Sequence, residues 1–97
     1  MIRHVVLMRF TPESTVEQQQ AMLAALRTLP DHLPEIRSYH AQPGLGLRDG
    51  SWDAVVVADF DDAAGWRTYI EDPEHQRIIA ELIQPIASER GSLQYEL

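Results

Sequence analysis

The sequence has 97 residues and contains no cysteine, no asparagine and no lysine. Without cysteine the chain can form no disulfide, no thiolate metal site and no thiol nucleophile. Without asparagine it has no acceptor for N-glycosylation. Any chemistry must therefore come from the four histidines, the three tyrosines, the carboxylates, the arginines or the backbone.

Positive charge is scarce, because 15 acidic residues face only eight basic ones, all of them arginine, and the net charge is −7. Binding to nucleic acid or to an anionic membrane surface needs a dense basic surface, so both are disfavoured. No run of 18 apolar residues is present, which excludes a membrane-spanning helix. Strand-like sequence follows Met1 directly, so we expect no signal peptide and a cytoplasmic location.

The hydrophobic pattern predicts a single domain over residues 1–97. Strands are predicted at 2–10, 36–42, 52–60 and 91–97, and helices at 15–29, 62–70 and from 73 onward, the last kinked at Pro85. The order β-α-β-β-α-α-β is that of an α+β, ferredoxin-like fold with a four-stranded antiparallel sheet.

The strands are apolar on both faces, which predicts a second copy of the chain. In the first strand Val5 and Leu7 point to one face, while His4, Val6 and Met8 point to the other. Helices in this fold cover only one face, and monomers rarely leave a large apolar surface in water. We therefore expect a homodimer in which two sheets pack into an α/β barrel, with His4 between them. The alternative is that the open face binds a different protein or forms a ligand pocket in a monomer.

Six segments, in this order, resemble one known family. They are R-H-V-V-L-M-R-F, L-A-A-L-R-T-L-P-x-x-L-P-E-I-R-S-Y, G-L-G-L-R-D-G, A-D-F-D-D, Y-I-x-D-P-E-H and L-I-x-P-I-x-x-E-R. Together they resemble the stress-responsive dimeric α/β-barrel (Dabb) family over nearly the whole chain. The resemblance implies a ferredoxin-like protomer that dimerises through its sheet, and an association with stress.

The resemblance also implies candidate site residues. One characterised type in the family is a plant polyketide cyclase, which closes a linear poly-β-ketone by intramolecular aldol condensation. Its paired tyrosine and histidine match Tyr69 and His75, and its strand-one histidine matches His4. Two further histidines of that enzyme are replaced here, by Ala54 and Asp72.

The residues around His75 are compatible with the same chemistry. Asp72 suits a helix N-cap and Pro73 the first helical position, which places His75 in the first turn. The positive end of the helix dipole favours a neutral imidazole there, able to accept an α-proton from a 1,3-diketone, while Tyr69 donates a hydrogen bond to the enolate. The alternative is that Asp-Pro-Glu-His only starts a helix and that Tyr69 is a core aromatic.

The remaining candidates concern binding. His4, Val6 and Met8 are expected to line a substrate cavity, although a buried histidine satisfied by hydrogen bonds is the commoner outcome for His4. The histidines show no metal-ligand spacing, so we assign no metal and no cofactor, and expect His32 and His40 to face solvent. Asp59, Asp61 and Asp62 are interpreted as a strand end and a helix N-cap.

Three functions remain open from the sequence. The first is a homodimer whose apolar cavity binds a small aromatic or polyketide-like molecule without converting it. The second is an enzyme that uses Tyr69 and His75 in the same cavity, for aldol cyclisation or cofactor-free oxygenation. The third is a structural protein whose dimer serves only assembly. A pocket that reaches both Tyr69 and His75 would favour the first two.

Overall fold

The computed structural model describes all residues, 1–97, as four strands and a layer of helices. The strands β1 to β4 span Ile2–Phe10, Ile36–Pro43, Ala54–Phe60 and Ala87–Glu96, and the helices α1 to α3 span Val16–Leu26, Ala63–Glu71 and Pro73–Ile78. The strands form one antiparallel sheet in the order β2-β3-β1-β4. This arrangement confirms the ferredoxin-like prediction. None of the helices has the length and apolar character to cross a membrane.

Prolines end two helices earlier than the sequence pattern suggested. The first helix stops at Leu26, and Pro30 lies in a separate 3-10 turn over Leu29–Asp31. The kink expected at Pro85 is absent, because α3 continues only as a π-helical turn over Ile79–Ile83 and ends before that proline. A proline has no amide hydrogen to donate, so α-helical hydrogen bonding cannot continue through it.

Each α-helix begins at a side chain that accepts a hydrogen bond from the first turn. Thr15 forms a capping box with Gln18 at the start of α1, and Asp62 accepts from the Gly65 N–H at the start of α2. Asp72 does the same for α3. These caps satisfy amide donors that a helix start otherwise leaves without partners. The caps at Asp62 and Asp72 agree with the sequence prediction.

The core lies between the helices and one face of the sheet. On β1 this face carries His4, Val6, Met8 and Phe10, of which Met8 is 1% exposed. The most deeply buried large side chains are Tyr69, Phe60, Met8, Met22, Leu26, Leu29 and Ile78. The expectation that His4 lies between two sheets was therefore wrong, because the helices of its own chain cover that side of β1.

The other face of the sheet carries no helix and has an aliphatic centre. In the strand register Val5 lies opposite Val57 and Leu93, and Leu7 lies opposite Val55. Leu93 is 63% exposed. Neither Met8 nor Phe10 belongs to this open face, as their side chains point to the helices, so it is smaller than the sequence pattern suggested. An ion pair between Arg3 and Asp59 crosses two strands at one end, with Nε and Oδ1 2.8 Å apart.

Candidate functional site

A cavity of about 420 Å³ lies between the sheet and the last two helices. All five site residues predicted from the sequence line it: His4, Val6, Met8, Tyr69 and His75. Further aliphatic side chains from β3 and from the π-helical turn complete its walls, and Arg90, Gly91 and Ser92 of β4 form one rim. The structure thus brings the predicted residues together in one cavity. The interior of this cavity is mainly apolar and contains a few polar side chains.

Asp72 and the start of α3 position His75. The Asp72 carboxylate accepts the His75 backbone N–H at 2.9 Å, and the imidazole Nδ1 lies 2.9 Å from the Tyr69 carbonyl oxygen. A carbonyl oxygen can only accept, so Nδ1 carries the hydrogen and Nε2 holds a lone pair. Nε2 has no partner within the chain and is not sealed from solvent. The His75 ring stacks on the Tyr69 ring, with centroids 4.1 Å apart.

Burial is the main reason that His75 stays neutral. Loss of solvent lowers the pKa of His75, although the bond to the Tyr69 carbonyl and the charge of Asp72 act in the opposite direction. Burial therefore acts in the same direction as the helix dipole that was invoked from the sequence. A neutral imidazole with a free Nε2 lone pair is a proton acceptor.

His4 is held in the opposite tautomer. Its Nδ1 accepts one hydrogen bond from the indole N–H of Trp66 at 3.3 Å and another from the side-chain amide of Gln94 at 2.8 Å. Both partners donate, so the hydrogen of this imidazole lies on Nε2, which is a donor. Burial, and then the proximity of His75, lowers the pKa of His4 to about 4. His4 is therefore neutral near pH 7.

Tyr69 is joined to a second tyrosine rather than to the His75 imidazole. The hydroxyl oxygens of Tyr39 and Tyr69 lie 3.1 Å apart, and the two rings meet edge to face. Burial raises the pKa of Tyr69 to about 12 and also raises the pKa of Tyr39. Both phenols therefore stay protonated, and one of the two keeps a hydrogen free to donate to another acceptor. No direct side-chain hydrogen bond links Tyr69 with His75.

None of the contacts that Tyr39, Trp66 and Gln94 make in the site was predicted from the sequence. Gln94 lies opposite His4 across the β1–β4 register. That pairing depends on the alignment of two strands 90 residues apart, and no local pattern in the sequence carries it. Side chains alternate between the two faces of a strand, so Tyr39 lies on the helix-facing side of β2 together with Ala41. This alternation is the one sequence feature that could have placed Tyr39 near the cavity.

The other predicted polar residues lie outside the cavity. His32 is exposed and contacts the outer side of Asp72, with Nε2 and Oδ2 3.2 Å apart. His40 is exposed on β2. Burial alone would raise the pKa of Asp72, but the hydrogen bond from the His75 N–H and the contact with His32 outweigh it, so that the pKa is lowered. Asp61 forms an ion pair with Arg37.

The cavity contains both a proton acceptor and a hydrogen-bond donor, the two groups that acid–base chemistry needs. His75 Nε2 can accept a proton, and His4 Nε2–H can donate a hydrogen bond. Each tautomer is set by partners that cannot reverse their roles, a carbonyl for His75 and an indole for His4. No cluster of three or more histidine or acidic side chains has the geometry to hold a metal ion. The polar side chains that line the cavity are the imidazoles of His4 and His75 and the phenol of Tyr69, together with Arg90 and Ser92 at the rim.

Comparison with known proteins identifies relatives over the whole chain. A solved structure from Thermobifida fusca, described as a dimeric ferredoxin-like protein of unknown function, is 36% identical, with a TM-score of 0.91 over 99% of this chain and 90% of that one. The hydroxynitrile lyase of Passiflora edulis is 19% identical, with a TM-score of 0.86 over 99% of this chain and 92% of that one, which shows a shared fold. A Dabb family protein from Mesorhizobium loti is 14% identical, with a TM-score of 0.81 over 99% and 95%.

A search of curated proteins found no match. A family model described as the stress responsive A/B barrel domain matches residues 2–97. This match covers all four strands and all three helices, together with the five cavity residues expected from the sequence. The chain therefore belongs to the stress responsive A/B barrel domain family.

Proposed function

We propose that the protein is a homodimer, joined through its open sheet faces, in which the cavity of each subunit binds a small aromatic or polyketide-like molecule. The observation that carries this proposal is the cavity of about 420 Å³, whose aliphatic walls enclose two neutral imidazoles with free Nε2 atoms. Apolar pockets of this size with a few convergent polar groups are typical of small-molecule sites. The aromatic side chains Tyr69 and His75 favour a planar ligand that stacks or packs at their edges.

The homodimer is supported by the open face and by one relative. The aliphatic centre around Val5, Val57 and Leu93 is left without cover, and burying it against a second copy removes it from water. The Thermobifida fusca relative with the same fold is described as dimeric. Two identical sheets related by a two-fold axis would bring the same residues of both copies together.

The dimer is tested by a charge placed at the centre of the open face. Val57→Lys should convert the protein to a monomer in sedimentation, because a buried ammonium without a partner is strongly unfavourable. Val16→Lys, at an exposed position on α1, is the matched control and should remain dimeric. The wild type should have a mass near twice 11.0 kDa. A wild type that sediments as a monomer at micromolar concentration contradicts the dimer.

A second candidate function is an enzyme that acts on the bound molecule, and the opposed tautomers of His4 and His75 favour it. His75 Nε2 would take a proton from the carbon next to a ligand carbonyl, and the electrons of that C–H bond would form an enolate. The enolate oxygen would accept hydrogen bonds from His4 Nε2–H or from a phenol of the Tyr39–Tyr69 pair. In an aldol cyclisation the enolate carbon attacks a second carbonyl, and the new alkoxide recovers the proton from His75.

Cofactor-free oxygenation would begin with the same proton transfer to His75. The carbanion would then add to molecular oxygen, the co-reactant and oxidant, forming a C–O bond, and the resulting peroxide anion would take the proton back from His75 to give a hydroperoxide. The two enzymatic routes therefore share a base and an enolate, and a measurement of enolisation tests both at once.

The probe for this step is 1-phenylbutane-1,3-dione, an aromatic 1,3-diketone whose enol absorbs in the ultraviolet. The wild type should bind it and accelerate its keto–enol exchange, and His75→Ala should remove that acceleration, a loss of about 10²–10⁴-fold for a general base. His40→Ala, which removes an exposed histidine on β2, is the matched control and should keep the wild-type rate. Binding without acceleration by the wild type would support the binding protein and contradict the enzyme. Absence of binding would contradict both.

A further inference from the structure

The cavity has one charged residue on its rim. Arg90 lies on β4 opposite Met8 of β1, so its side chain is on the same face of the sheet as the cavity floor. At neutral pH it is the only fully charged side chain among the lining residues, because His4 and His75 are neutral there. An arginine keeps its charge at all ordinary pH values. The cavity rim therefore carries a positive charge in a protein whose net charge is −7.

This guanidinium has no partner within the chain, although acidic residues are plentiful. Five arginines are held by hydrogen bonds or ion pairs: Arg3, Arg9, Arg27, Arg37 and Arg77. Its neighbour in sequence, Glu89, points to the opposite face and pairs with Arg9, with 2.9 Å between Nε and Oε1. No carboxylate lines the cavity. Arg90 is thus a cation at a binding cavity with its five donors free.

A second free donor lies on the same face of β4. Ser92 follows Arg90 by two residues, and both line the cavity. Gln94, two residues further along the same face, holds His4. At about 3.3 Å per residue, the Cα atoms of Arg90 and Gln94 are about 13 Å apart along the strand. A ligand that reaches both the imidazoles and the guanidinium is therefore elongated.

We propose that the ligand of this cavity carries a carboxylate at the end that Arg90 and Ser92 bind, with its carbonyl or aromatic segment extending toward His4 and His75. A planar guanidinium matches a carboxylate through two parallel N–H···O bonds, and the serine hydroxyl can donate a third. The aliphatic wall formed by Ile79 and Ile83 would contact the body of the molecule. The inference rests on the proposed binding function and names the chemical class of its ligand.

The test compares two rigid, elongated probes that differ only in charge, biphenyl-4-carboxylate and biphenyl-4-carboxamide. Calorimetry on the full-length protein should show tighter binding of the carboxylate. Arg90→Gln should weaken binding of the carboxylate roughly tenfold and leave the affinity for the carboxamide unchanged. Tenfold is at the lower end of the effects expected for loss of a charged hydrogen bond, because the site is open to water. Arg90→Lys should retain part of the preference. Arg67→Gln, which removes an exposed arginine of α2 outside the cavity, is the matched control.

The outcomes separate the inference from the proposed function. Equal binding of both probes by the wild type, or an unchanged carboxylate affinity in Arg90→Gln, overturns the carboxylate assignment and leaves a cavity that binds small molecules. Absence of binding for both probes overturns the binding function together with the inference. Raised salt should weaken only the carboxylate, since a charge pair near the surface is screened. A salt effect of the same size on both probes also overturns the assignment.

Discussion

Replacement of His4 should change how the stability of the protein depends on pH. Its folded-state pKa of about 4 lies below the ordinary value of 6.5, because the ring is buried and lies close to His75. As the pH falls below 6.5, the unfolded chain binds the proton first. The contribution of a neutral His4 is therefore complete at neutral pH and is lost as the solution becomes acidic.

The size of the loss in unfolding free energy follows from how far the pH falls below the unfolded-state pKa of 6.5 while His4 stays neutral in the folded protein. Each pH unit below the unfolded value costs about 1.4 kcal/mol, so about 2 kcal/mol is lost between neutral pH and about pH 5. The cavity is open to solvent, which screens part of this effect, and we expect about 1–2 kcal/mol. The loss should be absent in His4→Gln, which has no titratable group at that position.

Urea unfolding at a fixed protein concentration measures this difference. The free energy of unfolding of the wild type minus that of His4→Gln should fall by the expected amount between neutral pH and about pH 5. His40→Gln, which alters an exposed histidine, should instead follow the wild type. A wild-type minus His4→Gln difference that does not vary with pH would refute the assigned tautomer and the cause given for the pKa of His4.

Three further experiments test separate contacts. Asp72→Ala removes the N-cap of α3 and should lower the unfolding free energy by about 1 kcal/mol in urea titration, whereas Asp61→Ala, on an exposed ion pair, should change it much less. Tyr39→Phe and Tyr69→Phe should show a coupling of about 1 kcal/mol in a double-mutant cycle, and independent effects would argue against their hydroxyl contact. Ile78→Ala, at a position that is 0% exposed, should cost about 2–5 kcal/mol, and an unchanged melting temperature would contradict its place in the core.

Much of the fold could be predicted because it depends on local patterns. The runs of β-branched and apolar residues in β1 and β3 specify strands, and a capping side chain before each helix specifies where it begins. The helix ends were predicted less well, because Pro30 and Pro85 act on carbonyls several residues earlier. β4 begins at Ala87, earlier than the predicted start at residue 91, because Ala87 pairs with Phe10. No sequence feature near Ala87 predicts that contact.

The tertiary structure was needed to show which side of the sheet the helices cover. The sequence shows that His4 and Val5 point in opposite directions, since successive side chains of a strand alternate. It does not show which direction the helices cover, because both sets are apolar enough to be buried. The helices cover the side of His4, and this places His4 in the cavity and leaves Val5 and Val57 on the open face.

The family, the order of the strands and helices, and the residue types available for chemistry could be predicted, because they depend on composition, periodicity and short motifs. The protonation of the histidines and the groups that surround them depend on the folded chain. The tautomer of His4 depends on Trp66 and Gln94, which lie 62 and 90 residues away in the chain. These hydrogen bonds join residues that are far apart in the chain. They can therefore form only when the strands are paired in the correct register and the helices are packed on the sheet.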